Sequence, residues 1–243
     1  MIKKMLFRKN LLDFSKFMAK INLKPTEFSI KEDEKALCLA PHADDESIGM
    51  GGLLALYPNN FKVILLTDGR KGIKNLSKEE IVEKRANEFK NAMEVAKISN
   101  YEFLNCKDRE LLFQEEKFNE INIAEFDYIF IPSLIDQHPD HKAVAINLSK
   151  LLKNKKCKEN LKICFYEVWS ALSLVNGFVD ISEIIETKKQ MIASYPSQTS
   201  QKRYEYHALG LNQYRGMLKN KDYVEAFCVL ETKDFYEICK MYS

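Results

Sequence analysis

The sequence predicts an α/β fold, a mostly parallel sheet with helices on both faces. Three observations carry that expectation. Short apolar runs such as KALCLAP at 35–41 and FKVILLTDG at 61–69 are continuous rather than alternating, the pattern of strands buried on both faces. Stretches with helical spacing lie between such runs, so strand and helix alternate as in βαβ units. The 243 residues are 46% hydrophobic, enough for one sizeable core, and a single α/β domain of this length is ordinary.

The elements follow in order. Within 1–24, Phe7, Leu11, Phe14, Met18 and Ile21 recur at steps of three and four and form one stripe of an amphipathic helix. Lys3, Lys4, Arg8, Lys9, Lys16 and Lys20 crowd its other face. Such a helix either packs on the domain with a solvated cationic face or makes peripheral contact with an anionic membrane. Lys16 and Lys20 interrupt any secretory apolar core, and no run of about 18 apolar residues exists to span a bilayer. LKPTEFSIKEDEK is a polar connector, after which 34–243 form a single domain. Following the first strand, ESIGMGGLLALY offers a loop and a brief helix. The helix over 77–97 begins S-K-E-E, so Ser77 can cap it and Glu80 can complete a capping box, with Ile81, Phe89, Met93 and Ala96 on the apolar face. YEFLNC, FDYIFIPSL and KICFYEV are further strands, and HKAVAINLSKLLK is a helix. Residues 182–193 and 204–218 are helical, and 223–231 form a closing strand, antiparallel at the sheet edge. Together these make a Rossmann-like, three-layer α/β/α domain.

Charge excludes one class of partner. Lys and Arg total 37 against 35 Asp and Glu, a net charge of +2, whereas coating a nucleic acid needs a strong basic excess. The KNKKCK run at 153–158 is the solvated end of a helix. Six scattered cysteines without a C-x-x-C pair read as reduced, buried thiols of a cytoplasmic protein.

Histidine is scarce, with four in the chain, and three of them fall at strand exits, where open α/β sheets bind ligands. The first strand runs into Pro41-His42-Ala43-Asp44-Asp45-Glu46, and the fourth into Asp136-Gln137-His138-Pro139-Asp140-His141. Alone, H-x-x-D is a capping arrangement and H-P-D-H a helix start with proline in the first turn. Together at two strand ends they supply a His-Asp-His set for a catalytic metal, with one carboxylate and one imidazole left over. Asp44 suits a general base, and the second histidine can steady charge on an oxygen. Arg70 and Lys71, in the second strand-exit loop, are placed to meet a phosphate, while His207 fits no metal motif.

These residues resemble a known family. APHADDESIGMGG is similar to the A-H-P-D-D-E signature, and DQHPDHKAVA to the H-P-D-H partner, of the PIG-L/LmbE-like zinc-dependent de-N-acetylases of amino sugars. TDGRKG, KRANEFKNAM, FLNCKDREL and KKQMIASYPSQ resemble weaker family segments, and the likeness extends from about Leu37 to about Leu230. The resemblance implies His42, Asp45 and His141 as zinc ligands, Asp44 as general base and His138, protonated, as the stabiliser of the tetrahedral intermediate. It puts Arg85 and Asp108 where relatives contact the substrate, with Arg70 added from the loop reading. Ala43 replaces the usual proline, which relaxes φ but removes no ligand.

The expected activity is hydrolysis of an N-acetylated amino sugar, free or nucleotide-, lipid- or glycan-linked, with Zn2+ or another divalent ion such as Fe2+. The expected protein is cytoplasmic, able to contact a membrane through its first helix and to form a homo-oligomer. Two rivals share the donors: a non-haem Fe(II) oxygenase with two histidines and one carboxylate, and a non-catalytic sugar-binding module.

Overall fold

The computed structural model describes residues 24–217 and 219–242, and every structural statement below refers to these. Eight strands are present: β1 (Thr26–Glu27), β2 (Ala36–Ala40), β3 (Phe61–Thr67), β4 (Tyr101–Cys106), β5 (Tyr128–Pro132), β6 (Lys162–Tyr166), β7 (Gly177–Asp180) and β8 (Val224–Glu231). They form one sheet in the order β1-β7-β8-β6-β5-β2-β3-β4. Every pairing is parallel except those of β8 with β6 and β7. The main helices are α1 (Asp45–Leu56), α2 (Lys78–Val95), α3 (Pro139–Asn154), α4 (Ile185–Ala193), α5 (Tyr204–Met217) and α6 (Thr232–Tyr242).

Successive strand residues point to opposite faces, and the core divides accordingly. Leu37, Leu39, Ile64 and Leu66 pack with Val144 and Leu148 of α3 and Phe235 of α6. Ala36, Cys38, Val63 and Leu65 pack with Leu53 of α1, Phe89 and Met93 of α2 and Met191 of α4. Strands covered on both faces must be apolar throughout, which is why β2 has no polar residue and all five of its residues are buried. The three-layer α/β/α expectation holds.

Four local expectations are corrected. The whole of 45–56 is helical, with a kink at Met50 (φ −149°, ψ 25°), where a loop and brief helix were expected. Its glycines allow close packing: a Cβ on Gly49 would lie 2.4 Å from the Tyr166 ring, and one on Gly52 2.5 Å from Ile181. The closing strand β8 lies inside the sheet rather than at its edge, because β7 and β1 continue beyond it. The connector before the first long strand contributes β1, which pairs with Gly177 and Phe178. A further helix, α6, follows β8 directly.

The expected capping box is present, with Ser77 and Glu80 bonded reciprocally, and all six cysteines are free thiols, five of them buried. No described helix is long and apolar enough to cross a membrane. The amphipathic stripe of 1–24 lies outside the described residues apart from Lys24.

Candidate metal and catalytic site

At the centre of the sheet β2 and β5 run side by side, with β3 and then β4 following β2 on one side and β6 following β5 on the other. Ligand crevices form outside the carboxyl ends of strands at such a switch point. Here β2 delivers His42, Asp44 and Asp45, and β5 delivers Asp136, His138 and His141, from opposite sides of one crevice.

After β2 the chain must turn sharply into α1, and Asp44 takes the turn at φ 133°, ψ −27°. That backbone is strained for a residue with a side chain, by about 1–3 kcal/mol, and is kept because the surroundings over-determine it. Arg85 on α2 supplies the restraint. Its guanidinium, only 3% exposed, donates to the Ala43 carbonyl and lies 3.4 Å from Asp44 Oδ2, while Glu88 Oε2 at 3.2 Å and Ser197 Oγ at 3.4 Å hold its other arm. On the other side His138 caps α3, with Pro139 in the first turn, where its missing N–H costs nothing.

The imidazoles of His42 and His141 are arranged alike. His42 Nδ1 lies 3.2 Å and His141 Nε2 3.1 Å from the same atom, Asp45 Oδ2. Behind each ring stands a buried carboxylate: Asp140 Oδ2 is 3.1 Å from His42 Nε2, and Asp136 Oδ2 is 3.3 Å from His141 Nδ1. A carboxylate behind a histidine fixes the tautomer and leaves the opposite nitrogen as a lone-pair donor, the usual support of a metal-ligating histidine. His141 is fully buried, yet neither ring nitrogen makes a well-directed hydrogen bond. A buried donor facing a carboxylate without hydrogen bonding to it fits a metal ligand, and spacings near 3.2 Å suit neighbouring ligands of one small ion with bonds of about 2.0–2.2 Å.

Two donor groups lie within 4.8 Å of one another among the described residues: His42 with His138 and His141, and His42 with Asp108 and Asp140. The second group is better read as support. Asp140 already accepts the N–H groups of Arg109 and Leu111, and Asp108 that of Lys71, so their oxygens brace the loop after β4 against His42.

Electrostatics divide these groups further. Burial would raise Asp45, but His141 and His42 outweigh it and hold the carboxyl well below the usual range. Burial opposes protonation of His141, yet Asp45 and Asp136 raise it to about 9. Asp44 is pushed up to about 7, chiefly by burial, with Arg85 pulling the other way. His138 is pushed down to about 4 by burial and by His42 and His141. Its Nδ1 also accepts the Asp140 N–H at 3.2 Å. With Nδ1 accepting, a neutral His138 ring carries its proton on Nε2.

The cleft over these groups holds about 110 Å³, and His42, Asp44, Asp108 and His138 line it with Trp169 and Tyr204. Arg85 and Asp108 reach its wall but are engaged with protein: Asp108 Oδ1 is 3.4 Å from His42 Nε2. Arg70 is turned away into an ion pair with Asp68, and Lys71 takes its place on the lining. His207 stands outside the cleft, as expected. Sequence reasoning assigned no role to Asp136, Asp140, Glu46 or Trp169. The two aspartates sat within the quoted histidine motif, which was the available signal. Buried Glu46 accepts Tyr195 Oη at 2.5 Å and Ser47 Oγ at 2.6 Å, fastening the start of α1.

Comparison with known proteins agrees with this geometry. Residues 37–150 match the PIG-L family, described as GlcNAc-PI de-N-acetylase. Diacetylchitobiose deacetylase of Thermococcus kodakarensis is 27% identical, the match covering 87% of this chain and 88% of the relative. A probable N-acetyl-alpha-D-glucosaminyl L-malate deacetylase 2 of Bacillus subtilis is 28% identical over 68% of this chain and 84% of its own length. The fold is shared with N,N'-diacetylchitobiose deacetylase from Pyrococcus horikoshii, with a TM-score of 0.73 and 23% identity over 83% of this chain and 85% of that one.

Proposed function

We propose that this chain, a PIG-L/LmbE-like protein whose residues 37–150 carry the family domain, is a metal-dependent hydrolase that removes the N-acetyl group from an amino sugar or its conjugate. The observation that carries this reading is the pair of imidazoles converging on Asp45, each backed by a buried carboxylate, with a spare carboxylate, Asp44, beside them. The deacetylase activities named for the relatives support it.

In this reading His42 Nδ1, Asp45 and His141 Nε2 would hold the ion. Two imidazoles and one carboxylate suit zinc, with Fe2+ the other divalent ion such a set accepts. When bound, such an ion would supply Lewis acidity, making a water more acidic and the acetamide carbonyl more electrophilic. Asp44, raised towards neutrality by burial, takes the proton as the water oxygen attacks the carbonyl carbon. Arg85 keeps that carboxylate aimed into the cleft. His138 donates Nε2–H to the acetamide oxygen as it gains negative charge, a contact whose loss costs about 100- to 1000-fold in rate. Asp44 then returns its proton to the nitrogen as the C–N bond breaks, leaving acetate and the free amine.

The test is acetate release by the zinc-loaded protein from N-acetyl sugars presented free, nucleotide-linked and lipid-linked. Asp44→Ala is expected to keep stoichiometric zinc and lose about 100- to 10,000-fold of the rate, and retained turnover would remove it from the base role. His141→Ala is expected to lose the metal. Unchanged metal content there would overturn the ligand set.

A further inference from the structure

The catalytic cleft is too small for a whole substrate. Its 110 Å³ falls below the roughly 300 Å³ at which small-molecule pockets begin, so a conjugated sugar must extend beyond it. A larger pocket of about 420 Å³ adjoins it, and Trp169 and Tyr204 belong to both linings. Those two rings meet edge to face with centroids 5.7 Å apart, and the Trp169 backbone N–H donates to Asp136 Oδ2 at 3.0 Å. Asp136 thus anchors both the shared wall and His141.

Two cationic side chains, Lys202 and Arg203, also line this pocket. Lys202 Nζ lies 4.2 Å from the Trp169 ring centre and the Arg203 guanidinium 4.4 Å from that of Tyr206, and neither reaches a carboxylate within ion-pair distance among the described residues. The one acid on the lining, Glu167, is buried and already taken up by Arg215 and the Leu172 N–H. A pocket with two cations free of acidic partners and its only carboxylate neutralised favours a negatively charged occupant.

Resting on the hydrolase reading above, we propose that this pocket is a second substrate subsite, and that it takes an acidic substituent, a carboxylate or a phosphate, carried by the acetylated sugar. Trp169 and Tyr204 separate the acetamide from that group, and Lys202 and Arg203 bind it. The substrate is then an anionic conjugate of an N-acetyl amino sugar rather than a neutral oligosaccharide.

The test compares N-acetylglucosamine 1-phosphate, the glycolic acid glycoside of N-acetylglucosamine and neutral N,N'-diacetylchitobiose. Acetate release by the zinc-loaded protein is measured alongside calorimetric binding to zinc-loaded Asp44→Asn protein. At least one acidic conjugate is expected to be preferred, and the two acidic arms show whether phosphate or carboxylate is read. In Lys202→Gln/Arg203→Gln protein the acidic-to-neutral ratio of kcat/KM, and of affinity, is expected to fall by about tenfold or more, the loss of a charge-assisted contact. Equal handling of acidic and neutral compounds, or a ratio unmoved by the double substitution, overturns the subsite. Acidic binding that the substitution weakens, without acetate from any compound, overturns the hydrolase reading and upholds the acidic site.

Discussion

Asp136 shows how much of the site rests on residues that touch no substrate. One oxygen accepts the His138 backbone N–H at 3.0 Å, and the other accepts the Trp169 backbone N–H and faces His141 Nδ1. Asp136→Asn keeps the size of the side chain but removes the charge that fixes the His141 tautomer, so metal affinity is expected to fall about 10- to 100-fold. Competition against a chromophoric chelator measures this, and unaltered affinity would reduce Asp136 to a loop anchor. At this scale the sequence was legible in residue type and position: His42, Asp44, Asp45, His138 and His141 do converge on one crevice. It could not say which carboxylate stands behind which nitrogen, because sequence proximity misleads here: Asp140, adjacent to His141, stands behind His42, while Asp136, five residues before His141, stands behind it once the chain has turned into α3. Nor could it show that Arg85 is engaged by the Ala43 carbonyl, Asp44, Glu88 and Ser197, which makes it a positioning residue for the loop after β2.

Helix α2 was readable because its start is chemically local. Ser77 Oγ accepts the Glu80 N–H and Glu80 Oε2 accepts the Ser77 N–H at 2.8 Å, both within four residues. Ser77→Ala is expected to cost about 1 kcal/mol, within the usual range for a lost cap, and to lower Tm by about 2–4 °C in a protein of this size. Calorimetry decides it, and an unshifted Tm would mean that tertiary packing alone fixes the helix start. Helix α1 was misread because its signal is not local. Three glycines in a row of twelve residues argue against a helix by propensity, but they permit the approach to Tyr166 and Ile181, and packing outweighs propensity. Helix α6 was missed because β8 ends at Glu231 and the helix starts at Thr232, with no glycine or proline to mark the change. Strands β1 and β7, of two and four residues, are too short to show a period.

The antiparallel end of the sheet is joined to the catalytic half by a buried ion pair whose burial nothing local in the sequence announces. Lys188 on α4 and Glu225 on β8 are both fully buried, with Nζ 2.6 Å from Oε1. The kink at Met50 begins a second helical segment in α1, whose first N–H groups would otherwise lack partners. Glu225 accepts two of them, from Gly52 and Leu53, each at 2.8 Å. One carboxylate therefore ties β8, α4 and α1 together, and α1 is the helix that opens with Asp45. Glu225→Leu leaves an ammonium group and two backbone donors buried without partners, so the cost is expected to be about 3–5 kcal/mol, or roughly 6–20 °C in Tm at 2–4 °C per kcal/mol. Lys188→Met/Glu225→Leu removes both charges and is expected to recover part of that loss, the two orphaned N–H groups accounting for the remainder. Thermal unfolding of metal-free protein separates this from any effect of the ion. A Tm within about 2 °C of the parent for Glu225→Leu would show that the two halves of the sheet hold together without the pair.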